Sequence, residues 1–155
     1  DTGVARVGRQ TVTTSRRVHF TVPGVPVAQP RHRVGPRGAY IPQDHPIHAY
    51  RQAVLLVWQS LGDVYGAPMP GAVSVGITFH FPRPLNKVWK TKPMLAEVKT
   101  TTPDLDNLAK GVLDALQNHA FGDDSRVCEL RLSKWIVRDG ALPRTELSIT
   151  DEGKH

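Results

Sequence analysis

The segment from residue 73 to residue 81, with the sequence VSVGITFHF, constrains the fold more than any other part of this chain. Apolar and polar side chains alternate through all nine positions without a break. Successive side chains of a β-strand point to opposite faces, so the alternation predicts a strand with one face in the core. A shorter alternation over residues 18–22 (VHFTV) predicts a second strand of the same kind. The chain is therefore expected to form a sheet.

Two other segments show helical spacing. The first begins at Pro46, a residue tolerated in a first turn, and repeats small and apolar residues at intervals of three and four until Gly62. The second, residues 105–118, is amphipathic. Its apolar stripe consists of Leu105, Leu108, Val112, Leu113 and Leu116, and its opposite side carries Asp106, Asn107, Lys110 and Asp114.

The C-terminal part predicts two more strands, at about residues 126–138 and 145–150. The pair Asp139-Gly140 between them is a common hairpin turn, so we expect the two strands to pair directly. The order β-loop-α-β-loop-α-β-β indicates an α+β (mixed) fold, a single domain over residues 18–151 with a small mixed β-sheet and two main helices. Residues 1–17 are polar and lack periodicity, so we expect a flexible arm.

Two long segments combine irregular composition with positive charge. Residues 23–46 are crowded with proline, glycine and arginine, which predicts an extended basic loop. Residues 82–103 form a second irregular segment, in which lysines flank Trp89. A loop of that length inside a compact domain is usually functional or mobile.

Composition limits the class of protein. The chain has 155 residues, a mass of 17.1 kDa and a net charge of +6, which indicates attraction to polyanions such as nucleic acid. No apolar run approaches the ~18–20 residues of a membrane span, and no secretory signal is evident, so we expect a cytoplasmic protein without a membrane partner. Cys128 is the only cysteine, which excludes an intramolecular disulfide and a thiolate zinc site within one chain. We expect Cys128 to be buried in a strand.

Acidic residues are concentrated in one stretch of this basic chain. Five of the ten aspartates lie between positions 104 and 124, where Lys110 is the only lysine or arginine. If Asp104 is still extended after Pro103, its carboxylate and that of Asp106 project the same way. Two like charges that close repel, and a hard divalent cation such as Mg²⁺, bound by few carboxylates plus substrate phosphate, removes the repulsion.

Simpler explanations of the same residues remain open at this point. Asp104 or Asp106 can be the N-cap of the following helix. Asp106 and Lys110, one helical turn apart, can form an ordinary ion pair. Asp123 and Asp124 can mark a turn, and because adjacent strand residues face opposite sides, only one of them is expected to join an acidic cluster directly. The spacing alone does not establish a nuclease.

The run PDLDNLAKGVLDAL (residues 103–116), followed by FGDDSRV (residues 121–127), resembles the RusA family of Holliday junction resolvases, typical of phages and prophages. The shared pattern is Asp-x-Asp-Asn-Leu-x-Lys at the start of a helix, Asp-Ala-Leu later on that helix, and Asp-Asp before a strand. The resemblance covers about residues 18–150 and is most specific over 103–128. One departure is the turn Asn118-His119-Ala120, where the family more commonly has Asn-Gly.

The resemblance implies an endodeoxyribonuclease that resolves branched DNA, a four-way junction, by Mg²⁺-dependent hydrolysis, with Mn²⁺ able to substitute. It also implies a homodimer that makes paired symmetrical nicks. By position, it implies metal ligation by Asp104, Asp106 and Asp124, with Asp123 as a further candidate ligand. It gives Lys110 the place of the catalytic lysine.

Other residues are candidates with less defined roles. Asp114 matches a family position of open function, and Trp89 fits either a base-stacking residue or a loop anchor. The candidate DNA contacts are cations of the two long loops: Arg31, Arg33, Arg37, Lys87, Lys90 and Lys92.

Two other functions fit part of the pattern. One is a non-catalytic basic DNA-binding module with a merely structural acidic cluster, and the other is a metal-dependent phosphoesterase for small substrates. Substitution of Asp104 by Asn separates the enzyme from the binding module, because only an enzyme loses cleavage while it keeps junction binding. Hydrolysis of a simple aryl phosphate without DNA cleavage would favour the phosphoesterase.

Overall fold

The computed structural model describes residues 4–7, 10–13, 16–61, 68–85, 88 and 93–153. The strands are β1 (Val4–Val7), β2 (Gln10–Thr13), β3 (Arg17–Pro23), β4 (Arg33–Gly35), β5 (Gly38–Tyr40), β6 (Val73–Phe81), β7 (Glu97–Val98), β8 (Val127–Ile136) and β9 (Arg144–Asp151). The helices are α1 (Pro46–Ser60) and α2 (Leu105–Leu116), and a short 3₁₀ helix spans Asp124–Arg126.

A five-stranded mixed sheet in the order β3-β9-β6-β8-β7 organises the molecule. The strand predicted from the alternating segment, β6, lies at its centre, parallel to β8 and antiparallel to β9. Its apolar residues are buried, as the alternation requires. The sheet and the two helices confirm the predicted α+β (mixed) class with one small mixed sheet.

Helices α1 and α2 pack on one face of this sheet and form a single core with it. The helices approach closely at Gly111, where an added Cβ atom would lie 2.9 Å from Cδ1 of Ile47. A buried hydrogen bond of 2.6 Å joins the hydroxyls of Tyr50 on α1 and Thr145 on β9. The core therefore fixes α2, whose first turn carries the predicted acidic site, against both α1 and the sheet.

The predicted hairpin of the last two strands is wrong. Strands β8 and β9 do not pair with each other, because both pair with β6, one on each side. Residues 137–143 pass across the end of β6, where the backbone N–H of Val137 donates to the carbonyl of Phe81. Asp139 and Gly140 do form a turn, but it lies within this longer crossing. The local turn signal was correct, whereas the partner of each strand is set by contacts distant in sequence.

The first basic segment is also more regular than predicted. Within residues 23–46, strands β4 and β5 form a two-stranded antiparallel hairpin in place of a purely irregular loop. Pro36 and Arg37 lie in its turn, where a proline removes no ladder hydrogen bond. Gly38 has a φ of 103°, a left-handed conformation that glycine adopts without a steric penalty.

The other expectations have mixed outcomes. In the predicted arm, β1 and β2 pair antiparallel, and the flexibility of residues 1–17 remains a prediction. Within the second loop, β7 pairs with β8 at the sheet edge.

Cys128 is exposed, so its predicted burial is wrong. It lies at a register shift between β6 and β8, and its thiol donates to the carbonyl of Val73 at 3.4 Å. Within the described part of the chain, no helix is long and apolar enough to cross a membrane.

Candidate metal and DNA-binding site

Asp104 occupies the N-cap position of α2 but does not act as a capping side chain. Its backbone is extended, with φ −74° and ψ 147°, as expected after Pro103, and its carboxylate makes no capping hydrogen bond. Asp106 lies exposed in the first turn, where its Oδ1 accepts a hydrogen bond of 2.9 Å from the backbone N–H of Asn107. The capping explanation therefore does not account for the carboxylate of Asp104, which stays available to a ligand.

Lys134 on β8 holds the segment that leads into Asp104. Its ammonium group donates to the carbonyls of Thr101 at 2.5 Å and Pro103 at 2.6 Å. The backbone of Lys134 also accepts a hydrogen bond of 3.0 Å from the N–H of Lys99. These contacts fix the direction from which the chain enters α2.

Sequence reasoning did not single out Lys134, although a signal was present. It alternates with Leu132 and Ile136 on the face of β8 that packs toward the core. A lysine at an inward-facing strand position needs polar partners. The strand pattern could have marked it, but not the two carbonyls that it binds.

Lys110 lies on α2 one turn after Asp106 and is exposed. Within the described residues, no ion pair joins the two side chains, so the simple i,i+4 pair is not formed. Lys110 therefore carries a positive charge on the same exposed side of α2 as Asp106. The predicted sidedness of the helix is confirmed, because Leu108, Val112 and Leu116 are all fully buried on the opposite side.

The second acidic pair lies in a 3₁₀ turn before β8, not on the strand itself. The carboxylate of Asp123 accepts hydrogen bonds from the backbone N–H of Ser125 at 3.0 Å and from the Ser125 hydroxyl. The Ser125 hydroxyl and backbone N–H hold the pKa of the Asp123 carboxyl below its ordinary value, and nearby Arg126 adds to this effect. Asp124, next in the chain, is exposed and has no such partner in the part of the chain that the structure describes. The strand-alternation argument for this pair was wrong in its premise, because the pair precedes the strand. Which of the two carboxylates joins an acidic cluster remains a prediction.

The turn between α2 and this acidic pair uses Asn118 for the left-handed step. Asn118 has a φ of 67°, and its N–H lies within hydrogen-bonding distance of the carbonyls of Phe121 and Gly122, at 2.8 and 2.9 Å. Asparagine tolerates this conformation better than most residues that have a side chain. Because Asn118 itself adopts the left-handed conformation, the turn does not need the glycine of the commoner Asn-Gly, and His119 can take its place.

The donor atoms at these positions fit a hard divalent cation, because exposed carboxylate oxygens are the ligands that Mg²⁺ and Mn²⁺ prefer. Among the residues that the structure describes, however, no group of three or more His, Cys, Asp or Glu side chains is already arranged to hold a metal ion. Asp104, Asp106 and Asp124 are thus exposed and chemically suitable, but they are not gathered into one cluster. The predicted ligand set remains a prediction.

The root of the basic hairpin contacts the first turn of α2. The backbone N–H of Gln29 donates a hydrogen bond of 3.0 Å to the carbonyl of Asn107. Arg31 follows two residues later, and Arg33 and Arg37 lie on β4 and in the hairpin turn. All three arginines are exposed, and no ion pair with a described residue neutralises them. The segment that leads into the basic hairpin is therefore fixed at the helix turn that carries Asp106.

The remaining candidates are less informative. Asp114 is half-buried and lines a depression between α1 and α2 together with His48, Arg51 and His119. Lys87, Trp89, Lys90 and Lys92 lie outside the described residues, so their predicted roles stay predictions.

Comparison with known proteins decides the family. The family model for endodeoxyribonuclease RusA matches residues 23–150, which is most of the chain. This chain belongs to the RusA family. A relative in Bacillus subtilis (strain 168), the uncharacterized protein YqaN, is 33% identical over 141 residues, which cover 86% of this chain and 96% of that protein.

Membership in the RusA family sets the class of reaction and of partner. The family consists of endodeoxyribonucleases, so this chain is a DNA-cleaving hydrolase of the type that acts on Holliday junctions. The matched region includes the start of α2, the turn at 117–122 and the whole of β8. The predicted family resemblance is confirmed.

Proposed function

We propose that this RusA-family protein resolves four-way DNA junctions by metal-dependent hydrolysis of one phosphodiester in each of two opposed strands. One observation carries the proposal: the segment that leads into the basic hairpin, with the exposed arginines Arg31, Arg33 and Arg37 on and before the hairpin, is hydrogen-bonded to the helix turn that carries Asp104 and Asp106. DNA held by the arginines would be brought toward this helix turn, whose carboxylates need a cation. A phosphodiester and a divalent ion together satisfy both groups.

In this proposal, Asp104, Asp106 and Asp124 hold a divalent ion, with Asp123 as a further candidate ligand. The ion is Mg²⁺, and Mn²⁺ substitutes because it also prefers oxygen ligands. When bound, the ion supplies a Lewis acid for the scissile phosphate and lowers the pKa of an attacking water. Because the three carboxylates do not form a cluster among the described residues, the ion and the DNA phosphate have to bring them together. The protein should consequently bind the ion more tightly with DNA than alone.

Lys110 has a separate role. Its ammonium group lies on the exposed side of α2, one turn beyond Asp106, and is not neutralised by that residue. A positive charge there would stabilise the charge that develops on the phosphate in the transition state. We assign it to catalysis more than to ground-state binding, because the hairpin arginines already bind the flanking phosphates.

In this proposal, the two basic loops bind the DNA phosphates on either side of the cleaved bond. In the first loop, Arg31, Arg33 and Arg37 project from the molecule. The second loop contributes Lys87, Lys90 and Lys92. Contacts of lysine and arginine with phosphates release counterions, so binding should weaken steeply as salt is added.

The proposed active form is a homodimer with C₂ symmetry. A four-way junction needs two nicks placed symmetrically, and a two-fold axis presents two identical sites to it. Sedimentation equilibrium of the purified protein should give twice the 17.1 kDa mass of one chain. The complex with DNA should contain one such dimer per junction.

Cleavage of a synthetic four-way junction, compared with a linear duplex of the same sequence, tests the proposal. With Mg²⁺, the wild-type protein should make paired nicks in the junction and leave the duplex intact, and without a divalent metal neither should be cut. Asp104→Asn should bind the junction normally and fail to cut it. Unchanged cleavage by Asp104→Asn would refute the assignment of this carboxylate, and failure of the wild type to cut any branched DNA would refute the function.

A further inference from the structure

The β4–β5 hairpin projects from the body of the protein. Of its six strand residues, five are exposed and only Gly35 is half-buried. Val34 is 88% exposed although it is a strand residue with a large apolar side chain. A hairpin that buries so little apolar surface contributes little to the core, so its projecting shape and its side chains call for another explanation.

One face of this hairpin holds an aromatic ring against glycine. Arg33 pairs with Tyr40, and Gly35 pairs with Gly38, so these four residues share a face, while Val34 and Ala39 lie on the other. A Cβ atom placed on Gly35 would lie only 3.0 Å from Cε1 of Tyr40 and 3.5 Å from Cδ1. The ring is therefore packed against the glycine backbone, in space that any other residue would occupy.

The same side chain remains accessible to solvent. Tyr40 is 48% exposed, and it lines an open depression of about 360 Å³ together with the turn residues Pro36, Arg37 and Gly38. A nucleobase is flat and apolar on its faces, and successive bases stack on aromatic side chains in single-stranded DNA complexes. The paired residue Arg33 and the turn residue Arg37 supply positive charge in the same hairpin, for the phosphates that flank such a base.

We propose that Tyr40 is a stacking platform for an unstacked nucleobase at the branch point of the DNA, with Arg33 and Arg37 on the adjacent phosphates. This inference rests on the proposed function, and it adds a structural basis for the choice of branched over linear DNA. In a linear duplex every base is stacked between neighbours, so none is available to Tyr40. At a branch point, stacking is interrupted and a base can be transferred to the ring at low cost.

Binding measurements with matched DNA test this platform. Dissociation constants are measured by fluorescence anisotropy in EDTA, for a four-way junction and for a linear duplex of the same sequence. Tyr40→Leu removes the ring but keeps an apolar side chain, and it should weaken junction binding about tenfold while duplex binding changes less than twofold. Tyr40→Phe keeps the ring and should bind both as the wild type does.

Two controls exclude a merely structural role for the ring. Val34→Ala, on the opposite face of the hairpin, removes exposed apolar atoms away from the ring and should leave both dissociation constants unchanged. Gly35→Val should displace the ring and reproduce the loss seen with Tyr40→Leu.

The outcomes are separable. Equal loss of junction and duplex binding in Tyr40→Leu, or junction binding as tight as that of Tyr40→Phe, would overturn the platform. Cleavage by the wild type in Mg²⁺ is measured independently, so failure of the proposed nuclease function would be seen there and not in these affinities.

Discussion

Asp104 stands where aspartate most often serves as a helix cap, yet its carboxylate makes no capping bond. Asp106 and Asp124 are likewise exposed, and within the described residues none of the three forms an ion pair. Asp123 provides the contrast within the same site, because its carboxylate is engaged by Ser125. Asp106 lies between these cases, since its carboxylate accepts one hydrogen bond, from Asn107, so Asp104 and Asp124 are the most available of the four carboxylates.

Lys110 provides a residue-scale prediction. Lys110→Ala should lower the rate of junction cleavage by about 10²-fold or more, because it removes a charge that acts on the transition state. The dissociation constant for the junction should change less than twofold. Single-turnover cleavage and anisotropy on the same protein measure both quantities. Arg131→Ala removes an exposed cation from the sheet and should change neither. A loss confined to binding would mean that Lys110 only attracts DNA.

Lys134 provides a second prediction, on positioning and not on chemistry. Lys134→Met keeps a long apolar stem and removes the donors to the carbonyls of Thr101 and Pro103. The free energy of unfolding should fall by about 1.5–3 kcal/mol, the range for hydrogen bonds that involve a charged group. Because the segment leads into Asp104, the cleavage rate of the folded variant should also fall, while the concentration of Mg²⁺ needed for half-maximal cleavage rises. A normal Mg²⁺ dependence in a destabilised variant would restrict Lys134 to stability.

At the scale of elements, the β4–β5 hairpin should carry part of the electrostatic attraction to DNA. Replacing both Arg33 and Arg37 by Ala should weaken junction binding and reduce the slope of log affinity against log salt by about 2, since each phosphate contact contributes about 0.9. Anisotropy titrations at several salt concentrations measure that slope. The double variant of Arg17 and Arg131, two exposed cations of the sheet, serves as the control of equal charge. If both double variants shift the slope equally, the hairpin is not the DNA surface.

The contact between α1 and β9 makes a prediction about pH. Tyr50 and Thr145 are buried, and their hydroxyls are 2.6 Å apart. Tyr50→Phe should lower the free energy of unfolding by about 1 kcal/mol near pH 8, because the Thr145 hydroxyl loses its partner. Burial raises the pKa of Tyr50 from 10.0 to about 12, against the smaller opposing effect of its hydrogen bond to Thr145.

The sign of the pH effect follows from that shift. Below pH 10, the phenol is protonated in both the folded and the unfolded state, so it adds no pH dependence. Between pH 10 and 12, the unfolded chain loses this proton and the folded protein keeps it, so wild-type stability falls by roughly 2 kcal/mol. The Phe variant lacks this effect. The free energy of unfolding of the wild type minus that of the Phe variant, measured with urea, should therefore be smaller at pH 11 than at pH 8. A constant difference would contradict the burial of the phenol.

The elements show which parts of the fold the sequence could predict. The strand at 73–81 and the starts of both helices are found where the patterns placed them, because periodicity and proline are local signals. The end of α2 is two residues early, since Gln117 already leaves helical geometry. The turn between β8 and β9 did not predict their partners, because the central strand β6 pairs with one of them on each of its two edges. The exposure of Cys128 depends on a register shift that only the paired strands define.

The candidate site divides in the same way. Spacing and resemblance singled out the aspartates and Lys110, since the motif is local. Lys134, the ring of Tyr40 and the contact between Gln29 and Asn107 join residues from different elements, and no local pattern specifies such contacts. The sequence therefore predicted the candidate metal and catalytic residues, whereas it did not predict the contacts that position them.

At the scale of the whole molecule, a chain of net charge +6 keeps five of its ten aspartates within 21 positions, 104 to 124. The proposed function gives both charges a purpose: the basic surface holds DNA, and the acidic positions hold an ion that only the DNA complex completes.

Anomalous diffraction from a crystal of the protein bound to a four-way junction in Mn²⁺ tests the central claim most directly. The account predicts an anomalous peak coordinated by Asp104, Asp106 and Asp124 and by an oxygen of the scissile phosphate. A complex with ordered DNA and no peak at these carboxylates, or a peak held by other residues, would contradict it.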